Sequence, residues 1–278
     1  MSAFIEVSQV SFHYPENSEE QNAIQEIHLN IESGEFLSIV GANSSGKSTL
    51  GRLINALYIP QKGTVTVNGM ITSDPALTIP IRKTVQMVFQ NPDNQIVATT
   101  VEEEIAFGTE NLQLSSEEIQ KRVNESLKLV DLESYRLYPP HLLSGGQKQL
   151  LAIASVIAMH PACIIFDEPT SLLDPVNRRM VIEKIQELDK IGITTIYITH
   201  RMDEVLLSKR SIVMHEGKIV YDGKPTDLFG LDQEKLISFH LYPPDLIKTI
   251  EALKKKGIPF PIPITHPKEL ADYLCQLQ

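Results

Sequence analysis

Gly41-Ala42-Asn43-Ser44-Ser45-Gly46-Lys47-Ser48 is the stretch on which the fold turns. It fits the pattern G-x-x-x-x-G-K-[ST], and its surroundings give the pattern meaning. The apolar run Phe36 to Val40 stops at Gly41, and beyond the loop Leu50, Leu53, Ile54 and Leu57 recur at helical spacing. A buried strand, a glycine loop and a helix bring successive backbone N–H groups and a helix N-terminus to one point, an arrangement that favours a bound polyphosphate. Gly41, Asn43, Ser44, Ser45, Gly46 and Thr49 are read as the cradle. Lys47 supplies positive charge for the β and γ phosphates of ATP, and Ser48 a hydroxyl for Mg2+.

Working outward, Phe4 to Tyr14 and Ile27 to Glu32 alternate apolar and polar residues as strands do, and strand-like TVTV and VQMVF begin at Thr64 and Val85. From Val101 to Pro140 the pattern is mostly helical, with Ser115 and Glu118 spaced as a capping box and Ile119, Val123, Leu127 and Val130 on one face. A helix follows from Gly145, then an apolar strand Cys163 to Phe166. A helix capped by Asp174 with Pro175 in its first turn comes next, then the strand Thr194 to Thr199. Buried strands alternating with helices predict an α/β fold with a mainly parallel core sheet covered on both faces. After Pro225, prolines crowd around two amphipathic stretches, Leu246 to Leu253 and Leu270 to Leu277, which marks a separate tail.

Two further strings carry chemistry. The strand Cys163 to Phe166 ends in Asp167 and Glu168, at the sheet edge where α/β ligands bind. Asp167 is read as the Mg2+ holder, and Glu168 as the group that orients or deprotonates the attacking water. Leu143-Ser144-Gly145-Gly146-Gln147 places two glycines and a serine at a helix start, a second anion-ready N-terminus in the same chain.

Over roughly residues 3–225 the order and spacing of these strings resemble the ABC ATPase family, a P-loop NTPase fold with an N-terminal antiparallel β region and a helical subdomain. The resemblance implies ATP hydrolysis, with the signature Leu143 to Gln147 of one subunit closing over nucleotide held by the phosphate loop of another. It also implies adenine stacking by Tyr14, a glutamine at Gln90 linking metal and water to the transport partner, an interface loop Ser171 to Asp174, and a switch histidine at His200. Ser44 stands where many relatives have glycine, and Arg201 where an acidic residue is usual. Arg201 is expected to be a solvated surface residue.

Asn91-Pro92-Asp93-Asn94-Gln95 and the stretch Thr100 to Gly108 resemble the energy-coupling factor (ECF) ATPases, and among these the first, CbiO-like member of the pair. That likeness implies vitamin or transition-metal uptake, a second ATPase as partner (a related paralogue or a second copy of this chain), a membrane scaffold docking near Gln90 to Gln95, and a substrate-binding membrane subunit. The domain plan is then 1–225 for the ATPase, with a helical subdomain at about 91–160, and 226–278 for a small α-rich tail that contacts the other ATPase.

Composition agrees with a globular chain of 278 residues, 42% hydrophobic and 22% charged. The longest apolar stretch, Leu150 to Met159, is far short of the about 18 residues a membrane helix needs, and no secretory signal opens the chain. The expected location is the cytoplasmic face of the membrane, held peripherally. A net charge of −10 repels a phosphate backbone, so nucleic acid is not expected as a partner. Cys163 and Cys275 lack metal-ligand spacing and are read as small buried apolar residues. The alternative function is a soluble ABC ATPase acting on ribosomes or DNA. Such proteins usually join two ATPase domains or insert a long coiled coil, whereas this chain carries one set of motifs and no heptad run.

Overall fold

The computed structural model describes residues 3–15, 22–260, 264 and 267–276. Leu277, Pro261 and Pro263, which helped to mark the tail, lie outside the described residues. In chain order the elements begin with β1 (Ile5–Phe12), β2 (Ile24–Ile31), β3 (Phe36–Val40), α1 (Lys47–Ile54), β4 (Lys62–Val67) and β5 (Met70–Ile71). There follow α2 (Thr78–Thr84), β6 (Val85–Val88), α3 (Val101–Glu110), α4 (Ser116–Leu129), α5 (Gly145–Ile157) and β7 (Cys163–Asp167). Next come α6 (Pro175–Lys190), β8 (Thr194–Ile198), α7 (Met202–Val205), β9 (Arg210–His215) and β10 (Lys218–Gly223). The chain closes with α8 (Pro225–Leu228), α9 (Gln233–Ser238), α10 (Asp245–Lys255) and α11 (Pro267–Gln276).

A six-stranded sheet runs β10-β9-β3-β8-β7-β6, parallel except for the β9–β10 hairpin. Strands β3, β7 and β8 are buried along their whole length, as their largely apolar character requires when both sheet faces are covered. Because β3, β6, β7 and β8 point the same way, the residues that follow them emerge at one edge: Gly41, Gln90, Glu168 and His200. A second, antiparallel sheet, β2-β1-β4-β5, packs its apolar face on the other side of α1.

The helical insert surrounds α5, which packs on α3, α4 and α6. Val123, Leu127 and Val130 are buried there as predicted, with Ile119 partly so. Only half of the expected capping box forms at α4: Ser115 Oγ accepts from the Glu118 N–H, without a return bond. Full boxes form instead at Thr100 and Ser144.

The predicted continuation of α1 to Leu57 is not observed. The helix stops at Ile54, Ala56 takes φ 55°, and the N–H of Leu57 turns back to the Arg52 carbonyl at 2.8 Å, leaving Leu57 exposed. The left-handed residue at the helix end is the usual device for satisfying orphan carbonyls. Cys163 is buried, and burial alone pushes its thiol pKa far up, but Cys275 is exposed, contrary to expectation.

Beyond β10 the chain does not leave the core at once. Leu228, Phe229, Leu236 and Leu241 join Val40, Val205 and Val213 in a cluster on the outer face of the parallel sheet. Helices α10 and α11 pack chiefly on each other through Ile250, Ile264 and Leu270.

Candidate nucleotide site

Helix α1 differs at its start from α3, α4, α5 and α6. Helices α3, α4, α5 and α6 are capped by the side chains of Thr100, Ser115, Ser144 and Asp174, whereas α1 opens on Gly46 at φ 102° with no side-chain cap. Its first-turn N–H groups therefore face the loop, where an anion satisfies them. Glycine is required at Gly46 both by this φ and by the Ala23 carbonyl, 2.4 Å from where a Cβ would sit. Ser44 has φ 63°, so the serine that stands in place of glycine carries left-handed strain of about 1 kcal/mol or somewhat more.

The loop forms one wall of a cavity of about 1100 Å³. Asn43 through Thr49 line it, with Tyr14 on one side and Gln90, Glu168 and His200 on the other. Lys47 Nζ donates to the carbonyls of Gly41 at 2.9 Å and Ala42 at 2.8 Å. Burial lowers its pKa, opposed by the nearby charges of Glu168 and Asp167. Tyr14 Oη lies 2.8 Å from Thr49 Oγ1, and its ring meets Phe12 and Tyr58 edge-on.

Ser48 Oγ donates to Asp167 Oδ1 at 2.7 Å. Burial, with the like charge of Glu168, raises the Asp167 pKa more than the Ser48 hydrogen bond and the charges of Arg52 and Lys47 lower it. The ionised carboxylate is thus a net cost to the fold. The native chain holds its proton to higher pH than the unfolded chain does, so stability falls as pH rises through the window above the ordinary aspartate range. With no nucleotide added, Asp167→Asn is expected to raise the melting temperature at neutral pH by roughly 1–4 °C while abolishing Mg2+-dependent turnover. Calorimetry of both proteins across that window checks this; an unchanged or lower melting temperature in the variant would refute it.

Two side chains converge on one carboxylate oxygen. Glu168 Oε2 lies 3.1 Å from His200 Nδ1 and 3.4 Å from Gln90 Nε2, which also donates to Ser171 Oγ at 3.0 Å. Glu168 itself sits at φ 50°, held by its N–H to the Ile198 carbonyl at 2.9 Å and by Ser171 Oγ on its own carbonyl at 2.9 Å. A non-glycine residue in this region persists only where its surroundings over-determine it.

Leu143 to Gln147 and Asp174 are not in this cavity. They meet each other instead: Asp174 caps α6 and accepts from the side chain of Asn177. Asn177 in turn packs so closely on Gly146 that a Cβ there would lie 2.3 Å from its Oδ1. Leu143 is buried while Ser144 and Gly145 are exposed.

Sequence reading missed several lining residues: Asn22, Ala23, Gln25, Glu216 and Gly217. Glu216 and Gly217, at φ 47° and 75°, form the two-residue turn of the β9–β10 hairpin, and the Gly217 N–H reaches the Ser45 carbonyl at 3.1 Å. Glu-Gly just beyond the apolar run Ile212 to Met214 was the available signal. Arg201 is not simply solvated either: it is about one-third exposed, and its Nε lies 3.6 Å from Asp203 and 3.5 Å from Glu204.

A parallel sheet that delivers a phosphate loop, an acidic pair and a histidine to one edge defines an ATPase of the ABC transporter type. The model of the ABC transporter family matches residues 24–171, and the chain belongs to that family. More narrowly, it is 48% identical to the energy-coupling factor transporter ATP-binding protein EcfA1 of Caldanaerobacter subterraneus subsp. tengcongensis, over 99% of this chain and 100% of that one. To the protein of the same name from Clostridium novyi it is 46% identical, over 99% and 98% of the two chains. Among solved structures it resembles cbiO1 from Clostridium perfringens, part of the ABC transporter complex cbiONQ, with a TM-score of 0.77 and 32% identity over 90% of this chain and 100% of that one. A dimeric bacterial ABC transporter cassette gives a TM-score of 0.72 at 32% identity, covering 80% and 98%.

Proposed function

We propose that this chain is the ATP-hydrolysing subunit of an ECF-type importer for a vitamin or a transition-metal ion, working as one of a pair of ATPases. The observation that carries the reading is the separation of the two phosphate-binding motifs. Residues Asn43 to Thr49 of the phosphate loop line the cavity with Glu168 and His200, while Ser144 and Gly145 stand exposed outside it, available to a second subunit.

In this reading Tyr14 stacks on the adenine, and the first-turn N–H groups of α1 together with Lys47 hold the phosphates. Glu168 takes the proton of the attacking water on Oε2, and His200 and Gln90 fix that carboxylate from either side. Among the described residues no three His, Cys, Asp or Glu side chains gather as a metal cage. The Ser48–Asp167 pair, with Gln90 near, suits a hard cation that takes its remaining oxygens from phosphate and water, which fits Mg2+. Mg2+, when bound, neutralises charge developing on the phosphates.

No described helix is long and apolar enough to cross a membrane. The proposed station is therefore peripheral, at the cytoplasmic face, through a membrane scaffold docking near Gln90 to Gln95, with a separate membrane subunit for the substrate. Residues 226–278 are proposed as the tail contacting the second ATPase, with α10 and α11 as the part least committed to the core.

Affinity isolation of the chain from solubilised membranes tests this. Two integral membrane proteins and an ATPase are expected. Ribosomes or DNA in their place would transfer the chain to the alternative class.

A further inference from the structure

Glu204 is 2% exposed, yet it is a carboxylate with no place in the cavity. A buried charge survives only when its oxygens are satisfied. Thr170 Oγ1 donates to Oε1 at 2.6 Å, while Tyr197 Oη at 2.9 Å and Thr199 Oγ1 at 2.7 Å donate to Oε2. Burial, and then the carboxylate itself, keep the Tyr197 hydroxyl protonated by raising its pKa well above the usual value. The two threonine distances are those of charge-assisted hydrogen bonds.

The donors come from the segments that bear the reacting groups. Thr170 lies two residues beyond Glu168, and Thr199 directly precedes His200. Thr199 Oγ1 also accepts the N–H of Arg201 at 3.0 Å, so it clasps the chain on both sides of the histidine. The strained φ of Glu168 and the 3.1 Å approach of His200 to Glu168 thus sit directly above one buried carboxylate. Thr170, Thr199 and Glu204 do not line the nucleotide cavity.

We propose that Glu204 is a positioning residue for ATP hydrolysis, gathering Thr170 and Thr199 so that Glu168 and His200 meet at the distance the reaction needs. This rests on the roles proposed above for those two residues.

Glu204→Gln keeps the volume but turns one acceptor into a donor. Its kcat is expected to fall about 10- to 100-fold, as misplacement of roughly 1 Å does, with KM for ATP changed less than about threefold. A scaffold role would move kcat without regard to His200, whereas a positioning role is spent once the histidine is gone. In a His200→Ala background, Glu204→Gln should therefore cost no more than about twofold. Thr170→Val and Thr199→Val, near-isosteric and each removing one donor, carry the same comparison should Glu204→Gln not fold. Wild-type kcat in these variants, or losses that simply multiply with His200→Ala, would overturn the proposal. Glu168→Gln is assayed alongside. If it retains turnover, the site assignment fails; if it is inactive while Glu204→Gln runs at full rate, only the role of Glu204 falls.

Discussion

Glu168→Gln is expected to hydrolyse ATP roughly 10²- to 10⁴-fold more slowly than the wild type, the range for loss of a general base, while binding ATP about as tightly. An amide cannot take a proton from water, but it is the same size as the carboxylate and can still meet His200 Nδ1 and Gln90 Nε2, which now reach Glu168 Oε2. The groups that hold the nucleotide are elsewhere: the first turn of α1, Lys47 and Tyr14. Because binding persists and the chemistry stops, the variant should accumulate as an ATP-bound pair. Phosphate release and gel filtration with ATP report the two halves of this expectation. Full turnover would remove Glu168 from its role, and loss of ATP binding would make it a structural residue.

Gly41→Ala is the second large effect, and it acts through backbone. A Cβ at Gly41 would sit 2.1 Å from the Met214 carbonyl and 2.8 Å from Ser45 Oγ, and φ there is 149°. Met214 lies in β9, whose pairing with β3 brings Val40 opposite Val213. Relief of the clash must therefore part the two strands just where the phosphate loop leaves the sheet, and must displace the Gly41 carbonyl that Lys47 uses. A loss of about 5–10 °C in melting temperature is expected from overpacking on this scale, with ATP affinity down at least about 100-fold, the loss expected when bound geometry is displaced. Gly69→Ala is the control: Gly69 also has positive φ, at 78°, but nothing lies within 4 Å of its would-be Cβ. It should show only the smaller dihedral penalty, about 1 kcal/mol. Equal losses in the two variants would mean that strain, and not the approach of β9, governs the loop.

The parts of the fold legible in sequence are those in which local pattern and long-range environment agree. Phe36 to Val40 is apolar but for Ser38 because both sheet faces are covered, and the strand occupies those residues. Asp174 and Pro175 open α6 because capping is a local matter of one side chain and two amides. The end of α1 was misread for the opposite reason. Leu57 keeps helical spacing, but Ala56 turns left-handed and the spacing has no structure behind it. The β9–β10 hairpin escaped notice because β10 is half-exposed along its length, so its six residues show little contrast.

Within the site, the loop and Glu168 were legible because each directly follows an apolar strand, while Gln90 and His200, two residues beyond their strands, were indicated by the family resemblance. Gly217 and Ala23 were missed because they reach the cavity from β2 and the hairpin turn, by contacts between distant segments. Glu204 is the sharpest case. In sequence it reads as an acidic residue in the first turn of a short helix, and only the three hydroxyls converging on it reveal a buried charge.

The central claim, that one nucleotide is served by the phosphate loop of one subunit and the signature of another, is tested most directly by mixing two inactive variants. Lys47→Ala removes the phosphate charge. Gly145→Asp places a negative side chain at the signature, where there is room for it: the nearest atom to a Cβ is Leu173 Cδ2 at 3.7 Å. In a mixed pair one site carries both lesions and the other neither. An equimolar, re-equilibrated mixture should therefore recover about a quarter of wild-type turnover, half of the pairs being mixed with one of two sites intact. With mixed pairs of this chain confirmed by mass, turnover no greater than that of the two variants assayed separately would show that Lys47 and Gly145 act on the same nucleotide within one chain, contradicting the account.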